Sequence, residues 1–277
     1  MANPLAAFLT LVMIGSAAMS QPAWAQKGVV TKTGQVRIVY MEPKNAELQP
    51  IYAQLKESQI LEKFQQFMRP LRLPGPLLLE FVDCNGKVNA WYQKQTVMVC
   101  YDFVAEMAHA APKETTKSGV TPHDAVIGPL VQIFFHEVAH AVFDMLKLPV
   151  FGREEDAADL VAAYMLVRLG KEEARRMIGG VALMYARQTK EQNEKLNAYW
   201  SAHSLPAQRF YNFVCIGYGA YPDVFEAVSK DYLPEARAKN CANEYRQIAY
   251  AFKTLIGPHL DSKLLKKQKG LDLGAPD

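Results

Sequence analysis

The chain has 277 residues, half of them hydrophobic, with 31 Lys and Arg against 28 Asp and Glu for a formal net charge of +3. That length and balance suit one globular domain, or a domain with a helical extension. So weak a positive charge, with no aromatics interleaved among basic clusters, argues against nucleic acid as a partner.

Residues 1–25 read as a secretory signal, with an apolar run from Pro4 to Met19 and a small-x-small cleavage site at Ala23-Trp24-Ala25 before Gln26. The segment departs from the pattern in having no Lys or Arg ahead of its apolar run, so an uncleaved N-terminal anchor is the competing reading. No cysteine lies near the site, which argues against a lipoprotein. No later stretch approaches a spanning length without charge. The expected product is cleaved after Ala25 and secreted or periplasmic, with no stable membrane insertion. Its expected domain is 26–262, and 263–277 reads as a polar, flexible tail. Four cysteines remain: Cys84, Cys100, Cys215 and Cys241. An even count in an exported chain predicts two disulfides, and Cys84–Cys100 with Cys215–Cys241 is favoured because each pair lies within one local unit. A cysteine zinc site would need a C-x-x-C spacing that is absent.

Gln35 to Glu42 alternates as a first strand. Ala46 to Met68 has helical periodicity, and Leu77 to Cys84 reads as an apolar strand. Asn85-Gly86 is a turn signal, after which Val88–Tyr92 and Thr96–Phe103 are expected to pair around Gln93–Gln95. Lys113 to Gly119 is a polar loop, and Thr121-Pro122-His123-Asp124 reads as a helix start. Pro129 is expected to kink that helix or divide it.

The following segment, Pro129 to Leu148, contains His136-Glu137-Val138-Ala139-His140. On a helix two histidines at i and i+4 share a face, about 40° apart, so both imidazoles can address one metal ion. Zinc suits them, and Glu137 on the flank can reach a water without being a ligand, the place of a general base. Pro149 should stop the helix and Gly152 permit the turn back. A second helix starting near Arg153 then carries Glu154, Glu155, Asp156 and Asp159. Glu155 and Asp159 share a face, so Glu155 is expected as third ligand and Asp159 behind a ligating imidazole. Asp156 is the runner-up, and Glu154 is expected to be solvated. The competing reading is that first-turn acids merely complement the helix dipole.

H-E-x-x-H followed by E-x-x-x-D resembles the gluzincin branch of zinc peptidases. The metzincin pattern fails, because Phe143 and Leu146 stand where it needs Gly and His. The longer string HEVAHAVFDMLKLPVFGREEDAADLVAAY is more similar to a bacterial family of metallopeptidases, often grouped as a domain of unknown function. The resemblance extends from about Val36 to Leu260 and includes a similar H-S-x-x-x-Q-R-F-Y-N string, here His203 to Asn212 before a cysteine. It implies an α+β, zincin-like fold: a short antiparallel or mixed sheet, an H-E-x-x-H helix and a mainly helical C-terminal half. It also implies an edge strand that pairs with extended peptide, for which Asn89–Tyr92 and Val97–Tyr101 are candidates.

The rest of the chain reads as helices over Leu160–Leu169, Glu172–Gln188, Leu205–Tyr218, Val224–Lys230 and Arg237–Leu255. A peptidase needs a donor for the developing oxyanion, and His203, Arg209 and Tyr211 are candidates, with His203 preferred as catalytic. Against this, Arg209 and His203 can simply tie their helix to the acidic one. His109, His123 and His259 have no partner pattern and read as surface residues. The function expected is an exported, zinc-dependent peptidase acting on peptide or protein substrates, with zinc on His136, His140 and Glu155 and Glu137 as base. The alternatives are an exported zinc-binding protein without catalysis and an interaction module; an intact Glu137 argues against a purely structural site.

Overall fold

The computed structural model describes residues 36–192 and 199–267. The signal reading over 1–25 lies outside the described residues. Strand β1 (Val36–Tyr40) leads through a 3-10 turn at Ala46–Leu48 into helices α1 (Gln49–Glu57) and α2 (Ile60–Met68), then into β2 (Leu77–Val82). Strands β3 (Ala90–Gln93) and β4 (Thr96–Cys100) follow, then α3 (Tyr101–Ala110) and the long α4 (Pro122–Leu146). The remainder is helical: α5 (Glu154–Arg168), α6 (Lys171–Gln192), α7 (Pro206–Ala220), α8 (Pro222–Tyr232), α9 (Glu235–Leu255) and α10 (Ser262–Lys267).

The sheet is mixed, in the order β1-β2-β4-β3. β2 runs parallel to both β1 and β4, with Leu79 opposite Ile38 and Val97, while β3 and β4 form a hairpin with Trp91 opposite Met98. Its turn puts Lys94 and Gln95 both at positive φ, the twist that suits a two-residue hairpin. β3 is therefore an edge strand and β4 an inner one, which removes Val97–Tyr101 from the candidates for pairing with a peptide. The alternation of Leu77, Leu79 and Phe81 buries one face of β2.

Three local expectations are corrected. The periodic stretch 46–68 is not one helix, because Gln59 takes left-handed backbone (φ 53°) and starts a second helix at a new angle. The strand from Thr96 stops at Cys100, where the disulfide to Cys84 and the carboxylate of Asp102 turn the chain into α3. Asp102 accepts the backbone N–H groups of Cys84 and Gly86 at 3.0 and 2.7 Å, holding the Asn85-Gly86 turn against the helix start. Finally, Pro129 lies inside α4 without dividing it. The second disulfide joins Cys215 in α7 to Cys241 in α9.

α4 forms the centre of the molecule. Phe134 and Phe135 meet Phe64 of α2 at 4.5 and 5.7 Å between ring centroids, and Phe134 meets Phe81 of the sheet at 5.3 Å. On another side α4 presses on α6 through glycines. A methyl on Gly128 would stand 2.5 Å from the Met177 carbonyl oxygen, and one on Gly180 would overlap the Asp124 carbonyl oxygen. By length and apolarity α4 could cross a membrane, which the sequence reading did not anticipate. It is instead a core helix, mostly buried between the sheet layer and the C-terminal helices.

Candidate metal centre

α4 stops at Leu146, earlier than Pro149 requires. Lys147 adopts left-handed backbone, and the N–H groups of Lys147 and Leu148 bond back to the carbonyls of Asp144 and Phe143, a Schellman end. Gly152, with φ +90°, completes the reversal. α5 thus begins beside the last two turns of α4, with Glu154, Glu155 and Asp156 in its first turn.

His136 Nε2, His140 Nε2 and Glu155 Oε2 converge. The two imidazole nitrogens are 3.2 Å apart, and Glu155 Oε2 lies 3.0 Å from His136 Nε2 and 3.3 Å from His140 Nε2. Donors around a tetrahedral zinc with bonds of about 2.0–2.1 Å are separated by about 3.3 Å. The triangle therefore has the size of one face of such a tetrahedron. Each outer ring nitrogen is held by a carboxylate: His136 Nδ1 by Asp159 Oδ1 at 2.9 Å, His140 Nδ1 by Glu154 Oε1 at 2.7 Å. That arrangement fixes the tautomer and presents both Nε2 lone pairs inward. The residues fit a zinc ion.

Around this triangle the charges are matched. Burial pulls the His136 pKa down, but Asp159 and Glu155 outweigh it and raise it to about 9. Burial likewise opposes a charged His140, and Glu155 and Glu154 reverse that. Glu155, bonded to His136, His140 and His203, is held well below the usual carboxylate range. Asp159 is also lowered, against the cost of its burial, by His136 and Arg209. Glu137, only 6% exposed, goes the other way: burial raises its pKa, with the neighbouring histidines and the Tyr92 backbone N–H in partial opposition. Tyr92 belongs to the edge strand β3, and its hydroxyl donates to Asp144 Oδ2 at 2.7 Å, fastening that strand along the last turns of α4. Burial and this carboxylate push the Tyr92 hydroxyl up to about 12.

The segment before α7 closes over α5. His203 Nε2 lies 2.9 Å from Glu155 Oε2, and its ring stacks on His136 at 5.8 Å. Ser204 Oγ donates to Asp156 Oδ1 at 2.6 Å and accepts from Arg153 Nη2 at 2.7 Å, so Asp156 anchors this loop rather than facing the histidines. Arg209 grips Asp159 with both prongs, Nε to Oδ2 at 2.6 Å and Nη2 to Oδ1 at 2.7 Å, and lies 4.6 Å over the Tyr185 ring. With its fork occupied, Arg209 stands behind the site. Tyr211 is 37% exposed and packs edge-on against Phe210. His109 is exposed, but His123 is half-buried beside Asp124 and Arg176.

Two participants escaped the sequence reading. Glu154 was expected to be solvated, yet although 55% exposed it holds His140; a first-turn glutamate has the reach to bend back over the preceding turn. Gln132 reaches Asp159 Oδ1 at 3.4 Å, and its position one turn before His136, on the same face, was the available signal.

Residues 40–256 match a protein family whose description is "Putative metallopeptidase". No curated protein and no solved structure matches the chain. The family match covers most of the sequence, and the chain belongs to that family.

Proposed function

We propose that this member of the metallopeptidase family is an exported, zinc-dependent enzyme that hydrolyses peptide bonds, with a zincin-like arrangement of sheet and helices. The observation that carries this reading is the donor triangle of His136, His140 and Glu155, sized for tetrahedral zinc, with a buried carboxylate that is not a ligand beside it. When bound, zinc supplies Lewis acidity, which polarises a scissile carbonyl and makes water a nucleophile near neutral pH.

The chain's own residues supply the rest. Glu137 accepts the proton of the attacking water and returns it to the departing amine. Its raised pKa, caused chiefly by burial, suits a group that must both take and give a proton. His203, whose Nε2 meets the same Glu155 Oε2 as the two ligand histidines, is the proposed donor to the oxyanion. Asp159 and Glu154 keep the imidazoles aimed. β3, the edge strand beside Glu137, is the edge along which an extended peptide would pair. Residues 1–25 direct export, and the two disulfides fit an oxidising compartment.

Glu137→Gln tests the reading, because it preserves shape and removes the base. Zinc content should stay near one per chain while digestion of a peptide library falls by about 10²–10⁴. A wild type that digests nothing in a broad library, or a Glu137→Gln variant with full activity, refutes the catalytic assignment.

A further inference from the structure

A cavity of about 600 Å³ lies away from the metal centre. It opens on the reverse faces of α4 and α5. Phe135, Val138 and Val142 of α4, Val161 and Met165 of α5 and Phe252 of α9 line it. Around their helix axes Val138, Val142 and Val161 stand about 120–160° from the metal-facing residues, while Phe135 and Met165 lie on the flanks, about 80–140° away. The cavity is thus separated from the centre by the body of the helix pair.

Its composition points to a ligand class. The wall is apolar and includes no Asp or Glu, yet Arg168 and Lys253 sit at its edge. Among the described residues neither cation has a carboxylate partner. One end is strapped shut by the segment after α9: Leu260 bridges to Leu71, Arg72 N–H donates to the His259 carbonyl at 2.8 Å, and Asp261 N–H donates to the Pro70 carbonyl at 2.7 Å. The strap's own acid, Asp261, is taken by Arg72 at 2.6 Å. What remains is a single apolar chamber of ligand-holding size with two uncompensated positive charges at its mouth.

We propose that this cavity binds a long-chain carboxylate, its apolar chain lying between α4, α5 and α9 and its carboxylate at Arg168 and Lys253. A single chamber suits one chain rather than the paired chains of a phospholipid. The apolar wall supplies affinity in proportion to the methylenes buried, and the cations select an anionic head over a neutral one.

The test is displacement of a fluorescent long-chain acid, cis-parinarate, from the full chain by unlabelled acids running from decanoate to stearate. Binding should be saturable at one per chain. Affinity should rise by about fourfold per methylene until the chamber is full. The alcohol of equal length should bind less tightly, and Arg168→Gln with Lys253→Gln should weaken acid binding by roughly two- to fivefold per charge removed. Met165→Trp, which fills the chamber, should abolish it. Should Met165→Trp not fold, the two glutamine substitutions, at exposed positions, still decide. Absence of saturable binding overturns the proposal. Equal affinity for acid and alcohol, unchanged in the double glutamine variant, also overturns it. Neither outcome depends on zinc or on peptide hydrolysis, and the titration should be the same in the Glu137→Gln variant.

Discussion

Arg209→Met replaces a guanidinium whose fork is spent entirely on Asp159. Both partners are nearly inaccessible, at 13% and 7% side-chain exposure. The substitution leaves a buried carboxylate with only His136 Nδ1 at 2.9 Å and the long contact from Gln132 at 3.4 Å. Removing one member of a buried ion pair costs about 3–5 kcal/mol, and the lost stacking on Tyr185 adds about 0.5–2 kcal/mol. The histidine that remains offsets part of this, so a loss of about 3 kcal/mol is expected, or about 6–12 °C in melting temperature for a domain of this size. Urea and thermal denaturation with a chelator present measure that loss without any contribution from bound metal. A second measurement, competition for zinc against a chelator, should show affinity reduced by about 10–100-fold, because Asp159 no longer holds the His136 ring at one angle. Arg209→Lys keeps a charge but not the fork, and should recover only part of either quantity. If Arg209→Met melts with the wild type, the buried-pair argument fails. If stability falls and zinc affinity does not, Arg209 is a clamp between helices with no hold on the centre. If turnover alone falls, Arg209 acts on the substrate, and its placement behind the site is wrong.

Zinc affinity measured the same way should fall most for Glu155→Ala, next for Asp159→Ala, by about 10–100-fold, and least for the half-exposed Glu154→Ala. Release of zinc by Glu154→Ala with retention by Glu155→Ala would refute the register of α5. Gly180→Ala drives a methyl into the Asp124 carbonyl and should lower stability by about 1–3 kcal/mol, as overpacking does; an unchanged urea midpoint would mean that α4 and α6 do not approach this closely. Removal of the Cys215–Cys241 bridge, which spans 26 residues, should cost about 3.5 kcal/mol, read by urea denaturation under non-reducing conditions. Mass spectrometry of exported protein should find Gln26 as the first residue and no alkylatable thiol before reduction; retention of residues 1–25, or free thiols, counts against export.

What was legible in the sequence depended on how far apart the cooperating residues lie. His136 and His140 could be paired from spacing alone, because one helical turn fixes their relative direction. Glu155 and Asp159 followed by the same logic on the next helix. Glu154 was misread, since a helical wheel gives directions from the axis and takes no account of how far a long first-turn side chain reaches beyond the helix end. The break at Gln59 was invisible for a different reason: apolar spacing continues across it, and neither Gly nor Pro marks the left-handed residue. α3 was missed because nothing in Val99-Cys100-Tyr101 interrupts a strand pattern; the turn is imposed from outside by a disulfide and by Asp102 holding the 84–86 turn. Of the two outcomes expected at Pro129, division does not occur: the helix continues through it, packed on α6 and the aromatic core.

The site of His203 could not be found from spacing at all, and only the resemblance singled out its string. The structure gives that string a physical meaning. Its three polar side chains meet three acids of α5 in the same order: His203 on Glu155, Ser204 on Asp156, Arg209 on Asp159. Without them α5 would present this run of carboxylates to one another at its N-terminal end, offset only by the helix dipole and the two imidazoles of α4. The dipole contributes about 0.3–1 kcal/mol per favourable charge, too little to hold Asp159 ionised at 7% exposure when burial of an unpaired charge costs several kcal/mol. Arg209 is therefore what allows a carboxylate to stand behind His136, and Ser204 is what keeps His203 over Glu155. The C-terminal helices are part of the centre's construction: α4 and α5 carry the donors, while α7 and the loop before it supply the cation and the hydroxyl that make the acidic turn tenable.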